Sequence, residues 1–167
     1  MTGKELSQRL KQRVREPNAG LEDLVDAFGQ DLMMQKSLPA DYFEFAVETL
    51  SDPDLYNKEG VEAFLLELCL SSRLLSESQK TDLLKILIEN YANYEGETLC
   101  FVVGDFVGRA YEAEVALKAV DDMSVRVHSK SQKVGLLMAI DILRRKRSRQ
   151  GAGFNQKIDA IYARIEL

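Results

Sequence analysis

Side-chain catalysis needs a nucleophile, an acid or base, or a metal held in a fixed mutual geometry. The chain offers few such groups: one histidine, His128, and two cysteines, Cys69 and Cys100, in 167 residues. His128 falls in a predicted polar loop between Val127 and Ser129 with no recognisable partner, which fits a surface histidine better than a general base. Each cysteine sits in an apolar run of helical pattern, where a free thiol behaves as a small buried hydrophobe. Two isolated cysteines and one histidine cannot complete a structural zinc site. Gly104 and Gly108 bracket Asp105-Phe106-Val107 inside a predicted helix, whereas a phosphate loop places its glycines between a strand and a helix. These two glycines are expected to admit a neighbouring helix, at a cost in helix propensity of up to about 1 kcal/mol each. No enzymatic activity, cofactor or metal is expected.

Charge carries more information. The chain has 27 acidic and 22 basic residues, a net charge of −5, distributed unevenly. Ser37 to Asp122 holds 18 acidic and 6 basic residues, and Met123 to Arg149 holds 1 acidic and 8 basic. An acidic middle suits a basic partner or a solvated face. The candidate partner-binding residues are Glu95, Glu97, Asp105, Glu112, Glu114, Asp121, Asp122 and Asp141. Taken singly, each reads more simply as a helix-terminal or solvated charge. Asp105 and Asp141 are 36 residues apart, and stacked helices would set them in one row about 10 Å apart. The row Arg73, Arg109 and Arg145 falls near predicted helix ends and reads as dipole compensation rather than an anion ladder. The tract Arg144-Arg-Lys-Arg-Ser-Arg149, with Lys130 and Lys133, could touch phosphate. The acidic remainder and the absence of an aromatic platform argue against nucleic acid, and cations at the end of their own helix are the simpler account.

The elements that must position these residues are helices. Almost every apolar segment repeats at i, i+3, i+4 and i+7, and strict alternation is scarce. Helices are predicted over Gly3 to Arg15, Leu21 to Lys36, Asp41 to Leu50, Lys58 to Ser72, Ser76 to Tyr91, Glu95 to Arg109, Glu112 to Asp122, Ser129 to Arg147 and Phe154 to Ile165. Pro39 should open the third, Ser76 or Ser78 should cap the fifth, and Gly151-Ala-Gly153 marks the last turn.

The tetrapeptides Asn57-Lys-Glu-Gly60 and Asn93-Tyr-Glu-Gly96 match at an offset of 36 residues, and each precedes an apolar run. The same offset aligns Phe64, Cys100 and Leu136, then Leu65, Phe101 and Leu137, then Leu66, Val102 and Met138. A helical period of this length is the signature of helix-pair solenoids, although an up-and-down bundle of similar helices also gives approximate spacing. The expected fold is all-α: a HEAT-like helix-pair solenoid of about three repeats. One domain over 1-167 is expected, with N-terminal helices at 1-36, repeats at 37-149 and a closing helix at 150-167. No apolar stretch approaches the roughly 18 to 20 residues of a membrane span, and Met1 to Arg15 lacks a signal-peptide core. A cytoplasmic protein is therefore expected.

The segments Gly60 to Leu68, Leu75 to Leu84, Glu97 to Phe106 and Glu114 to Val120 resemble small acidic HEAT-like helical proteins of bacteria. Several of these are immunity proteins of polymorphic toxin or contact-dependent inhibition systems. The resemblance covers about residues 39 to 145 and carries no binding residue by motif. It implies a cytoplasmic inhibitor of a cognate protein toxin, commonly a nuclease with a cationic cleft, acting by stoichiometric protein-protein inhibition. Complementary fields would speed that capture. The alternative is a helical scaffold or adaptor for another protein or peptide, since solenoids expose extended surfaces.

Overall fold

A computed structural model describes residues 1-16, 18-146 and 151-166. Among these residues the protein is all-helical. Its helices are α1 (Gly3–Arg13), α2 (Glu22–Met33), α3 (Ala40–Ser51), α4 (Glu62–Leu70), α5 (Glu77–Asn90), α6 (Glu97–Ala110), α7 (Ala113–Ser124), α8 (Lys130–Lys146) and α9 (Ala152–Ile165). Short 3₁₀ turns, Ser72–Leu74 and Tyr91–Asn93, follow α4 and α5. Contacts divide the chain into two compact units, Met1–Leu87 and Ile88–Leu167, and the division falls inside α5.

In the first unit, α1 packs on α3 and α2 on α4. Thr2 and Glu5 form a capping box that starts α1, satisfying amide groups that the first turn leaves without helical partners. Gly3 donates its N–H to Asp41 Oδ2 at 2.6 Å, and further along Ser7 and Lys11 both meet Glu48. Contacts that rise together in both helices make α1 and α3 parallel. The pair α2 and α4 behaves alike, with Phe28 against Phe64 at 5.7 Å between ring centroids and Gly29 beneath the Glu67 side chain. Phe28, Tyr42, Phe45 and Phe64 meet edge to face, an arrangement that aligns ring edges with the negative ring faces. This cluster is the centre of the unit.

In the second unit, α6 packs on α8 and α7 on α9. A Cβ on Gly104 would overlap the Gly135 carbonyl, and one on Gly135 would overlap the Cys100 carbonyl and the Tyr91 hydroxyl. At Gly108 it would press on Ile142 side-chain atoms at 3.0 to 3.2 Å. The expectation that Gly104 and Gly108 admit a neighbouring helix is met, and Gly135 is the third glycine of that contact. These contacts also rise together, so α6 and α8 are parallel. Within each unit, therefore, helix i lies alongside helix i+2 and the helix between them returns the chain.

The matched tetrapeptides do not fold alike. Gly60 has φ +93°, a left-handed conformation that favours glycine, and lies two residues before α4. Gly96 has φ −68° and is itself the N-cap of α6. One column of the 36-residue offset is buried throughout, at Phe64, Cys100 and Leu136. The next splits, because Leu65 is buried and Phe101 is exposed. Arg73 lies in the turn after α4, not in the helix's last turn, so the dipole account of the arginine row does not extend to α4. Cys100 is buried as expected, whereas Cys69 is half-buried.

Candidate functional site

All eight nominated carboxylates belong to the second unit, spread over its helices. Glu95 and Glu97 stand at the start of α6, and Glu112 occupies the N-cap position of α7 without a side-chain capping bond, beyond the other end of α6. A helix of this length separates Glu97 from Glu112 by roughly 20 Å. Glu114 lies in the first turn of α7, while Asp121 and Asp122 lie near its end.

Three of the eight already hold a cation of the same unit. On α6, Asp105 accepts from Arg109 Nε at 2.7 Å, and on α8 Asp141 pairs with Arg145. Both are i,i+4 pairs with the acid N-terminal, the favourable order on a helix. The aspartate row and the arginine row thus combine into two Asp–Arg pairs on parallel helices, and the combined row is close to neutral. Asp121 accepts from Arg164 at 2.7 Å, while Arg164 also donates to Ser124 Oγ. Glu97, Glu112, Glu114 and Asp122 are exposed and form no ion pair among the described residues.

Glu114 and Asp121 also open onto a groove of about 360 Å³ between α7 and α9, with Leu117 and Ile161 on its floor and Lys157 and Arg164 opposite. Its lining carries both signs of charge, so it suits a mixed polar contact rather than a purely cationic one.

The basic tract is engaged inside the molecule wherever it is described. Arg144 pairs with Asp159 at 3.4 Å and lies 4.9 Å from the centre of the Tyr162 ring. Lys146 donates to the carbonyls of Gly108 at 2.6 Å and Tyr111 at 3.3 Å. It therefore closes the carboxyl end of α6, a neighbouring helix, where dipole compensation predicted an effect on its own. Burial, and then the charge of Arg109, hold its amine below the ordinary lysine value. Arg147, Ser148 and Arg149 lie outside the described residues. His128 is exposed, and its backbone N–H donates to Gln132.

Two features escaped the sequence reading. The first is Gln132, 1% exposed. Its Nε2 donates to the carbonyls of Ala92 at 2.9 Å and Tyr94 at 3.1 Å, and its Oε1 accepts from the N–H groups of His128 and Ser129. Ser129 Oγ accepts from the Gln132 N–H, and the Tyr91 hydroxyl donates to the Gln132 carbonyl. One side chain thus caps α8 and satisfies the 3₁₀ turn. Gln79 repeats the arrangement with Ser76 at the start of α5 and donates to the Leu38 carbonyl. The signal was available as Ser76-Glu-Ser-Gln-Lys80 and Ser129-Lys-Ser-Gln-Lys133, a capping-box pattern.

The second is a group of exposed apolar residues on α2 and α4, Met33, Leu66 and Leu70. Helix α4 is apolar nearly all round, which in a soluble helix calls for cover on every side.

Among the described residues no group of three His, Cys, Asp or Glu side chains is placed to hold a metal, and no helix is long and apolar enough to cross a membrane. No protein-family model, curated protein or solved structure matches this chain.

Proposed function

We propose that this chain is an immunity protein, a non-enzymatic HEAT-like helical protein that binds a cognate bacterial toxin one to one and neutralises it. The partner presents a basic surface, as a nuclease cleft does, and is excluded from its substrate by the bound chain. The observation that carries the proposal is the set of outward carboxylates without an internal cation, Glu97, Glu112, Glu114 and Asp122. The parallel packing of helix i on helix i+2 inside each unit supports the helix-pair reading, because that is how solenoid repeats bury their faces.

The test is titration calorimetry of the chain against the purified product of the adjacent toxin-like gene. A tight one-to-one complex is expected, with association slowed by salt. Glu112→Lys/Glu114→Lys should lower the association rate by about tenfold, in keeping with electrostatic steering. No complex, or one indifferent to salt and to these substitutions, overturns the proposal.

A second reading, a scaffold for another protein, is favoured by the exposed apolar residues of α2 and α4. A pull-down that returns a stable assembly unrelated to any toxin would select it.

A further inference from the structure

We infer that the seam between α2 and α4 is a docking surface for a basic amphipathic helix of a partner protein. The inference concerns the first unit and stands apart from the toxin-neutralising reading, which rests on carboxylates of the second.

The geometry begins with the parallel packing of the two helices. Phe28 faces Phe64 in the core, and outside that contact Gly29 lies against the Glu67 side chain. One turn further along each helix come Met33 and Leu70, each 74% exposed, with Leu66 at 45% one turn before Leu70. The carboxyl ends of α2 and α4 therefore bring large apolar side chains together on the outside of the unit. Exposed apolar groups held together in this way mark interaction surfaces more often than single ones do, and methionine adapts to varied partners.

Charge selects the occupant. Along α2, Glu22, Asp26, Gly29 and Met33 fall at i, i+4, i+7 and i+11, so a single stripe runs from carboxylates to an apolar end. Glu67 adds a carboxylate from α4. Neither helix has a basic residue in its last turn, leaving the negative ends of both dipoles without a cation there. Lys36 and Arg73 are exposed beyond those ends. The first unit as a whole holds 16 acidic and 10 basic residues, a balance of −6. An apolar seam with an acidic flank fits a helix whose apolar stripe is bordered by lysine or arginine, the helix-in-groove mode of recognition.

The probe is a synthetic Leu/Lys amphipathic peptide of about 18 residues, long enough to lie along both helices, with a Leu/Glu peptide as its counterpart. Both are titrated against the full chain by fluorescence anisotropy at about 0.15 M salt. The Leu/Lys peptide should bind saturably and the Leu/Glu peptide should not. Leu66→Ser/Leu70→Ser, with unchanged circular dichroism, should weaken binding by about tenfold or more. Asp26→Lys should weaken it by about threefold in a salt-dependent way, while Glu112→Lys/Glu114→Lys leaves it unchanged. Several outcomes overturn the inference: no saturable binding, equal binding of the two peptides, indifference to Leu66→Ser/Leu70→Ser, or equal loss with the second-unit variant. A chain that is dimeric by light scattering, and monomeric as Leu66→Ser/Leu70→Ser, also overturns it, since a second copy would then cover the seam.

Discussion

At the scale of single residues, Gln132 ties the start of α8 to the turn after α5. Its side chain is buried and all of its described bonds run to backbone groups. Truncation leaves the part-buried Ala92 carbonyl and the part-buried His128 and Ser129 amides without this partner, while the Tyr94 carbonyl keeps Cys100 Sγ, and each unmet group costs about 1 to 3 kcal/mol when shielded from water. Gln132→Ala is expected to lower unfolding stability in urea by about 3 kcal/mol, while the part-buried Gln79→Ala should cost only about 1 kcal/mol. Equal effects would mean that burial does not separate the two sites.

Cys100 gives a pH prediction. Burial pushes its thiol up to about 11 from 9.0, against weaker hydrogen bonding that lowers it. A raised value means that the folded chain holds this proton more tightly than the unfolded chain. The contribution is therefore intact below about pH 9 and is lost as pH rises to about 11. Urea titrations across that window should show wild-type stability falling more steeply than that of Cys100→Ala. In thiol labelling of the native protein at pH 8, the half-buried Cys69 should react first and Cys100 only on unfolding.

At the scale of elements, the α6 and α8 contact sets how close two helices can come. Gly104→Ala should cost about 3 kcal/mol, because the new methyl meets a backbone carbonyl of Gly135 that cannot turn aside. At Gly108 the neighbour is the Ile142 side chain, and a helix-propensity gain of about 1 kcal/mol opposes a small displacement. Gly108→Ala should therefore stay within about 1 kcal/mol of the wild type. Thermal or denaturant unfolding of the two variants side by side distinguishes backbone contact from side-chain contact. Lys146→Met should destabilise by about 1 kcal/mol by uncapping α6, and hydrogen exchange should quicken at the carboxyl end of α6 rather than of α8.

The helices themselves were legible in sequence because apolar periodicity and capping residues are local signals. The predicted helix over Ser76 to Tyr91 became Glu77–Asn90 with Ser76 in its capping box. The turns were less legible. Asn57 to Gly60 and Asn93 to Gly96 share residue types, yet Gly60 takes a positive φ and Gly96 does not. The following segment decides this: α6 begins immediately after Gly96, and α4 begins a residue later after Gly60.

At the scale of the molecule, the acidic excess and the nominated carboxylates separate. Residues 1-87 carry the balance of −6, and residues 88-167 hold 11 acidic and 12 basic residues. If steering by net charge dominates capture of a basic partner, charge reversal in either unit should slow association alike, because each such substitution shifts the net charge equally. Stopped-flow rates for Asp26→Lys and Glu97→Lys variants at two salt concentrations would test that equality. A larger effect of Glu97→Lys would favour direct contact in the second unit over long-range attraction.

By itself the sequence determined that the protein is all-helical, where most of its helices lie, and that Gly104 and Gly108 would admit a neighbouring helix, while α4 came out as Glu62–Leu70 rather than Lys58 to Ser72 and Gly135 joined the glycine contact only in the fold. Hydrophobic period, caps and the lack of a Cβ act over a few residues and survive without knowledge of the partner element. Tertiary structure alone decided the charge pairings that join separate helices. Asp121 lies beside Arg164 and Lys146 over the end of α6, whereas Asp105 and Asp141 pair with arginines four residues on, a spacing already present in the sequence. It also decided which apolar residues stay uncovered, leaving Met33 and Leu70 at adjacent helix ends. Pairing and exposure depend on what a fold brings alongside a residue, and neighbours tens of residues away in the chain leave no mark in local composition.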